Sequence, residues 1–539
     1  MNPAMARGMI CAAQPESTEA GVLVMRAGGN AVDGAIACAL VAGVVDPMMT
    51  GIAGFGSGQF YLPGRGVHEC IDFHGKTPAA ARADMWADLL EGETRDGFGF
   101  VLKGRVNDLG YQSITVPGSL KAFHEAQTTY GVLPWAQVVQ PAIDWAERGW
   151  LVKPHGAYFF GLEEQLGRAA SVERLRFSPS GRALYCRPDG SPKRIGDTVR
   201  NPDMAATLRL IATGGADVFY TGELAERIAE DMRRHGGLLS YEDLGSYRTT
   251  RRPPLRGAFR QWGIATNHPP GGGLMLLQML NILEQFDLRA LGHNSVAYIR
   301  AVAEAMKRAV ADKEAHVGDP AFVDVPVERL LSKEYARETA AAIRAGRRLR
   351  IDRVGLPEPK NTTHLAVIDG DGNAVTMTHT LGMPSGVITD GLGFMYNGAM
   401  SVFDPRPGRA GSVAPGKSRF SAICPTLVFD ERGLRAAIGA PGGAQIAIGV
   451  MQALVNLLDF GMSMSDAVAA PRFSATSHII DVTMRIPTHV TDELEHDGYT
   501  VARNANTFDV AAVHGIEVRP DGTLHGGADP GHDGMAMAV

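Results

Sequence analysis

The stretch Asn361-Thr362-Thr363-His364, with the run that follows it to Thr380, constrains the fold of this chain more than any other. Before it, from about Pro117 to Gly237 and again after Leu274, the pattern is mostly helical. After it the pattern is strand-like. Gly355, Pro357 and Pro359 crowd the segment Val354 to Lys360, which reads as an extended, loosely held connector ending just before Asn361. His364 to Ile368 is β-branched and apolar. Asp369-Gly370-Asp371-Gly372 is a turn tetrad of the kind that closes a hairpin, and Ala374 to Thr380 is the return strand. Folding back about that turn sets Thr362 against His379 or Thr380.

The rest of the chain must supply what such a hairpin packs against. With 539 residues it exceeds the needs of one core, so two to four domains or one large multilayer unit are expected. Ala31 to Val45 is apolar nearly all round and predicts a buried helix. Glu16 to Arg26, Leu133 to Gly149, Leu224 to Gly236, Leu274 to Phe286 and Val296 to Ala315 predict further helices. Strands are predicted over Gln59 to Leu62, His68 to Phe73 and Val510 to Val518. A second hairpin spans Thr426 to Phe429 and Leu434 to Ile438. It leads through Ala440-Pro441-Gly442-Gly443 into an apolar helix, Ala444 to Leu458.

Charge and cysteine content exclude several classes. Lys and Arg number 52 against 58 Asp and Glu, a net −6 with no long run of one sign, so no nucleic acid partner is expected. Cys11, Cys38, Cys70, Cys186 and Cys424 are scattered and form no C-x-x-C pair, which fits reduced thiols better than disulfides or zinc. Met1 to Pro15 shows no signal-like apolar core, and no run of 18 apolar residues occurs anywhere. A cytoplasmic protein with no membrane partner is the expectation.

Candidate chemistry is sparse. Gly411 to Ser418 matches the Walker A string letter for letter. However, Asp404-Pro-Arg-Pro-Gly precedes it and a strand-like run follows, and Pro415 removes a backbone donor the cradle needs. The glycines from Gly51 to Gly58 read as a cradle for an anion, but they precede a strand rather than a helix, which fails the dinucleotide pattern. Asn361-Thr362-Thr363 fits an N-glycosylation pattern that is idle without secretion. His525, Asp529, His532 and Asp533 gather in a Gly-rich tail that reads as a loop, so no metal and no other cofactor is expected. No serine lies in a Gly-x-Ser-x-Gly elbow. Thr362 is left as a nucleophile, against the plainer reading of a surface threonine that opens a strand. Gly442 and Gly443 stand at a strand-to-helix junction, where bare N–H groups suit an oxyanion. A simple tight turn explains them equally well.

The residues around Thr362 carry a family likeness. Thr362-Thr363-His364, then Asp371-Gly372-Asn373-Ala374-Val375 and Thr380-Leu381, resemble the processing site of γ-glutamyltransferases. Pro415-Gly416-Lys417, Pro425-Thr426, Pro441-Gly442-Gly443 and Ala470-Pro471-Arg472-Phe473 agree. So do Gly29-Asn30-Ala31-Val32-Asp33, Pro117-Gly118 and Leu280-Asn281-Ile282-Leu283. The resemblance implies an α+β fold, the four-layer αββα sandwich of N-terminal-nucleophile hydrolases. It implies autocleavage between Asn361 and Thr362. Residues 1–361 would form a large subunit and 362–539 a small one, associated as a heterodimer that can pair into a dimer of heterodimers. By analogy Thr362 attacks a small-molecule amide, Thr380 orients it, and the N–H groups of Gly442 and Gly443 hold the oxyanion.

Where the chain departs from the family, the departures bear on substrate. His74 stands where glutathione-cleaving members have an arginine for the substrate α-carboxylate. Gly382 replaces an asparagine. Ala399 and Val402 replace the glutamine and aspartate that grip the α-ammonium, and Ser421-Ala422 replaces paired serines. The loop from Gly382 to Gly393 is also about two residues shorter, by the same likeness. The expectation is an acyl group without the glutamyl ammonium, with His74, Lys76 or Ser421 meeting any carboxylate. This chain resembles the oxamate amidohydrolases and glutaryl-cephalosporin acylases of the family more than its glutathione hydrolases. A true γ-glutamyltransferase is the alternative within the class. An unprocessed, non-catalytic binding protein is the alternative outside it.

Overall fold

The computed structural model describes residues 8–94, 99–163, 167–351 and 362–539. The connector Val354 to Lys360 and Asn361 lie outside the described residues. The hairpin forms as Thr363–Asp369 and Ala374–Thr380, with Thr363 opposite His379 and Ile368 opposite Ala374. Its turn is built on the Asp369 carboxylate, which accepts from the N–H groups of Asp371 and Asn373 at 3.0 Å and from Asn373 Nδ2 at 2.9 Å. The same carboxylate accepts from Ala31 N–H at 2.9 Å and so ties the turn to the start of the helix Ala31–Val45. Asn30 and Asp33 close a capping box on that helix.

The hairpin lies inside a seven-stranded sheet. In order the strands are Met535–Ala538, Gly8–Ala12, Thr363–Asp369, Ala374–Thr380, Phe55–Leu62, Val67–Phe73 and Thr250–Arg252. A six-stranded sheet runs Leu524–Ala528, His514–Val518, Gly433–Gly439, Thr426–Asp430, Trp262–Thr266 and Leu255–Phe259. Strand side chains alternate between faces, and the hairpin shows what each face meets. Ala366, Ile368 and Ala374 pack with Ala265, Leu427, Ala437 and Ile516 of the other sheet. Leu365, Val367, Val375 and Met377 pack against the helix Ala31–Val45 and its neighbours. On the far side Ile264, Val428 and Ile438 pack under the helices Gly273–Leu283, Val296–His316 and Ile446–Leu458. The layers are therefore helix, sheet, sheet, helix.

Three expectations need correction. The glycines before Gln59 do not form a cradle: the strand already begins at Phe55. A Cβ on Gly54 would lie 2.4 Å from the Thr380 carbonyl oxygen, so this glycine admits a close approach of backbones. The Gly-rich tail is a loop only over residues 529–534, since Leu524–Ala528 and Met535–Ala538 on either side are edge strands. Only His514–Val518 of the stretch from Val510 is strand. Val510 and Ala511 instead take φ of 63° and 62°, the left-handed region.

Candidate active site

Residues 362, 364, 366 and 368 share the face of the hairpin that looks at the second sheet, and so do 374, 376, 378 and 380. Thr362 and Thr380 thus meet between the sheets, at the open end of the hairpin. Thr362 Oγ1 donates to Thr380 Oγ1 at 2.9 Å, and Gly382 N–H donates to the same oxygen at 2.8 Å. Both threonines are buried. Thr362 has φ 119°, which a β-branched residue rarely adopts. Strain of this kind gathers at functional sites.

Behind the pair sit two histidines. His364 lies between the sheets, its ring nitrogens 2.8 Å from Thr378 Oγ1 and 3.3 Å from Thr376 Oγ1. His379 faces the helices and contacts the Thr50 hydroxyl. Burial drives His364 well below its ordinary pKa and His379 down to about 3, so both are neutral fillers rather than charges.

A chain of hydrogen bonds also reaches the residue next to Thr362. Thr363 Oγ1 donates to Gln14 Oε1 at 3.0 Å, and Gln14 Nε2 donates to Asp46 Oδ2 at 2.9 Å. Burial pushes the Asp46 carboxyl up to about 7, against the opposing pull of Gln14 and Lys153. The folded chain therefore holds this proton more tightly than the unfolded one, whose carboxyl has its ordinary value of 3.8. The associated stability is complete below that value and is lost as pH rises from 3.8 through about 7. Asp46→Asn is expected to be more stable than wild type by roughly 2–4 kcal/mol at about pH 8, and to match it at about pH 4. Thermal midpoints at the two pH values check this, and a gap independent of pH would count against it.

Gly442 and Gly443, with φ of 142° and 53°, turn the strand Gly433–Gly439 into the helix Ile446–Leu458 through one short turn. A small pocket opens here. Thr362, Thr380, Gly382, Ser421 and Gly443 line it, together with Phe55, Met383, Val402, Ile423 and Ile446. Gly442 lies just behind Gly443, pressed on Ala511. The carbonyls of Val510 and Ala511 are held in turn by Arg472, at 3.0 and 2.9 Å, and Arg472 is itself buried against Asp529. Asp529, weighed above as a metal ligand, is thus an ion-pair partner that braces the Gly442 turn.

His74 is not in the pocket wall. Its Nδ1 is held by Asp72, two residues back, and its ring lies beside that of Phe55, at 6.4 Å between centroids. Lys76 points elsewhere too, its Nζ 3.4 Å from the Arg248 carbonyl and 5.4 Å from the Tyr247 ring. Ser421 does line the pocket, while its Oγ accepts from Ile423 N–H at 3.2 Å. Val402 lines it, and Ala399 is buried behind. The Walker-like lysine, Lys417, donates to the carbonyls of Ala410 and Ser412 at 2.8 and 3.0 Å and so staples its own loop. Sequence reasoning missed Arg168 and Arg419, which also line the pocket. Arg419 lies two residues before Ser421, inside a segment already singled out. Nothing local marks Arg168.

Comparison with known proteins places the chain in a family. The family model described as Gamma-glutamyltranspeptidase matches residues 17–539. The Acylase ACY 1 proenzyme of Pseudomonas sp. (strain V22) is 38% identical over 99% of this chain and 94% of its own length. The Glutathione hydrolase proenzyme of Escherichia coli (strain K12) is 32% identical over 97% of this chain and 90% of its own. The crystal structure of cephalosporin acylase from Bacillus halodurans superposes with a TM-score of 0.88 at 29% identity, over 99% of this chain and 96% of that one. With a family model spanning nearly every residue and a solved relative superposing over 99% of its length, the chain belongs to the gamma-glutamyltranspeptidase family, an enzyme family.

Proposed function

We propose that the chain is a self-processing amidohydrolase that cuts itself between Asn361 and Thr362 and then hydrolyses a small amide through an ester on Thr362. The observation that carries this reading is the Thr362 hydroxyl, hydrogen-bonded to Thr380 in the wall of a pocket it shares with Gly443. In processing, Thr362 Oγ attacks the Asn361 carbonyl carbon and the peptide C–N bond breaks. The acyl group moves to oxygen, and the nitrogen takes up the proton as an α-amine. Water then hydrolyses the ester. The φ of 119° at Thr362 supports this, because strain beside the scissile bond is released by the cut.

Residues 1–361 become the large subunit and 362–539 the small one. Their association as a heterodimer is supported by the sheet. Strands Gly8–Ala12 and Phe55–Leu62 of the large subunit pair with the two edges of the hairpin. The cytoplasm is the compartment we propose, supported by five buried, unbridged cysteines.

In the processed enzyme Thr362 Oγ attacks the substrate carbonyl carbon and passes its proton to the new α-amine, whose ordinary pKa is about 7.7–8.0. N–H groups at Gly442 and Gly443 receive the oxyanion. The C–N bond breaks as the proton reaches the departing amine, and water, deprotonated by the same α-amine, releases the acid. An amine in place of water makes the reaction a transfer.

The acyl group we propose lacks an α-ammonium. Val402 supplies an apolar surface in the wall, and two of the relatives are named acylases and not glutathione hydrolases. The test is denaturing electrophoresis with N-terminal sequencing, followed by assays on glutaryl-p-nitroanilide, γ-glutamyl-p-nitroanilide and oxamate. Two chains, one beginning at Thr362, and slow γ-glutamyl turnover beside a faster simple amide are expected. Brisk γ-glutamyl turnover would overturn the substrate reading, and a permanently single chain would overturn the whole.

A further inference from the structure

Outside the wall of the Thr362 pocket, a third sheet joins Phe473–Ser474, Ile479–Thr483 and Thr500–Asn504. One of its faces is apolar. Phe473, Ile480, Val482 and Val501 pack into the core that also holds the helix Ile446–Leu458. Alternation puts Ser474, Asp481, Thr483 and Asn504 on the other face, with Ser474 opposite Asp481 and Thr483 beside Asn504. That face is polar, yet Asp481 is only 5% exposed, Thr483 1% and Ser474 0%. A second carboxylate joins it. Asp509 is buried too, and it accepts from the side-chain amides of Asn504 and, at 3.3 Å, of Asn506. Its other oxygen accepts from Val510 N–H at 2.8 Å.

Among the described residues, Ser474 Oγ, Thr483 Oγ1 and Asp481 Oδ2 have no hydrogen-bond partner. The arginines of the same segments are committed elsewhere. Arg472 holds Asp529 and the carbonyls of Val510 and Ala511, Arg485 those of Ala469 and Thr507, and Arg503 those of Met484 and Ile486. A buried carboxylate with no cation beside it is costly, and so is each buried hydroxyl with no bond. Two carboxylates and two hydroxyls on one closed face offer oxygen and neither nitrogen nor sulfur, which is the donor set of a hard divalent cation. Each carboxylate oxygen of Asp509 keeps a second lone pair for it. We propose that Ser474, Asp481, Thr483 and Asp509 together hold one hard divalent cation, Mg²⁺ or Ca²⁺. The residues weighed as metal ligands in the Gly-rich tail are not part of this site. Its place sets its effect. Asp509 directly precedes Val510 and Ala511, the left-handed pair, and Ala511 presses on Gly442. An ion shared by Asp509 and the sheet anchors that pair from a second side, beyond the hold of Arg472.

The test is calorimetric titration of Ca²⁺ and, separately, Mg²⁺ into chelator-stripped wild type, Asp481→Asn and Ser474→Ala, with thermal midpoints taken in chelator and in saturating ion. Wild type should bind one equivalent of at least one of the two ions. Asp481→Asn should weaken that binding at least about 10-fold, and Ser474→Ala should weaken it less, without touching a charge. At an ion concentration of about 100 times Kd the wild-type midpoint should rise by about 2 °C. In chelator at about pH 8, Asp481→Asn should melt above wild type, because it removes an unpaired charge, and the ion should narrow or reverse that gap. A proton is the competing way to neutralise this face, since burial pushes the Asp481 carboxyl up to about 7 and the Asp509 charge adds to the push. In that case neither ion moves the wild-type midpoint and acid alone closes the gap to Asp481→Asn, a result that overturns the site. Ion binding that is unchanged in Asp481→Asn overturns it as well. Binding of only one of the two ions, lost in Asp481→Asn, upholds the site and identifies its occupant.

Discussion

Thr362→Ala is expected to leave the protein as a single uncut chain with no measurable amide hydrolysis. One hydroxyl serves both reactions in the proposed mechanism, so its removal stops the first and leaves the second without nucleophile or α-amine. The loss in turnover should be on the order of 10⁴ or more, as for other nucleophiles that act as part of a unit. Thr362→Ser keeps the oxygen and its bond to Thr380, so it should still cut and retain part of the activity. Thr363→Ala is the informative neighbour. Its hydroxyl turns to the other face of the strand, towards Gln14, and this variant should still yield a chain beginning at Thr362. Electrophoresis and N-terminal sequencing of the three variants decide the matter. Two bands from Thr362→Ala would remove Thr362 as the nucleophile, and a new terminus at residue 363 would shift the site by one.

The hairpin could be read from sequence because its causes are local. Asp369 caps its own turn, a continuous apolar run leads into it, and the register then sets Thr362 opposite Thr380. What surrounds the hairpin could not be read, because long-range pairing has no local signature. Nothing in Gly8–Ala12 or Met535–Ala538 announces that these two strands pair with each other and that the first pairs with the strand that follows Thr362. The glycines at 54 and 56 looked like an anion cradle because glycine marks any close approach, and here the neighbour is backbone, not ligand. His74 shows a different limit. Its place along the chain is right for a pocket residue, but Asp72 holds the ring beside Phe55 and out of the wall. Chain position does not fix the direction of a side chain that has a stronger partner close by. Arg168 reaches the pocket only because the fold brings a distant segment there, whereas Arg419 was within sight, two residues from Ser421.

Gly442→Ala is the second change with a large expected effect. At φ 142° an alanine is strained wherever it sits. Its Cβ would also stand 2.6 Å from Ala511 Cα and 2.7 Å from Ala511 Cβ, closer than packed carbon atoms come. Ala511 cannot retreat easily. Its own backbone is left-handed, and its carbonyl is held by Arg472, which is buried against Asp529. The strain must therefore move the Gly442–Gly443 turn, and with it the N–H groups proposed for the oxyanion. Displaced donors cost transition-state stabilisation, not ground-state binding, so kcat should fall roughly 10²–10³-fold with KM little changed. Autoprocessing uses the same donors and should slow as well. Arg472→Ala attacks the same brace from behind and should lower kcat in the same sense, with less effect on KM than on kcat. Steady-state kinetics on processed protein read these parameters, and a KM effect without a kcat effect would place the turn in substrate binding instead of oxyanion stabilisation.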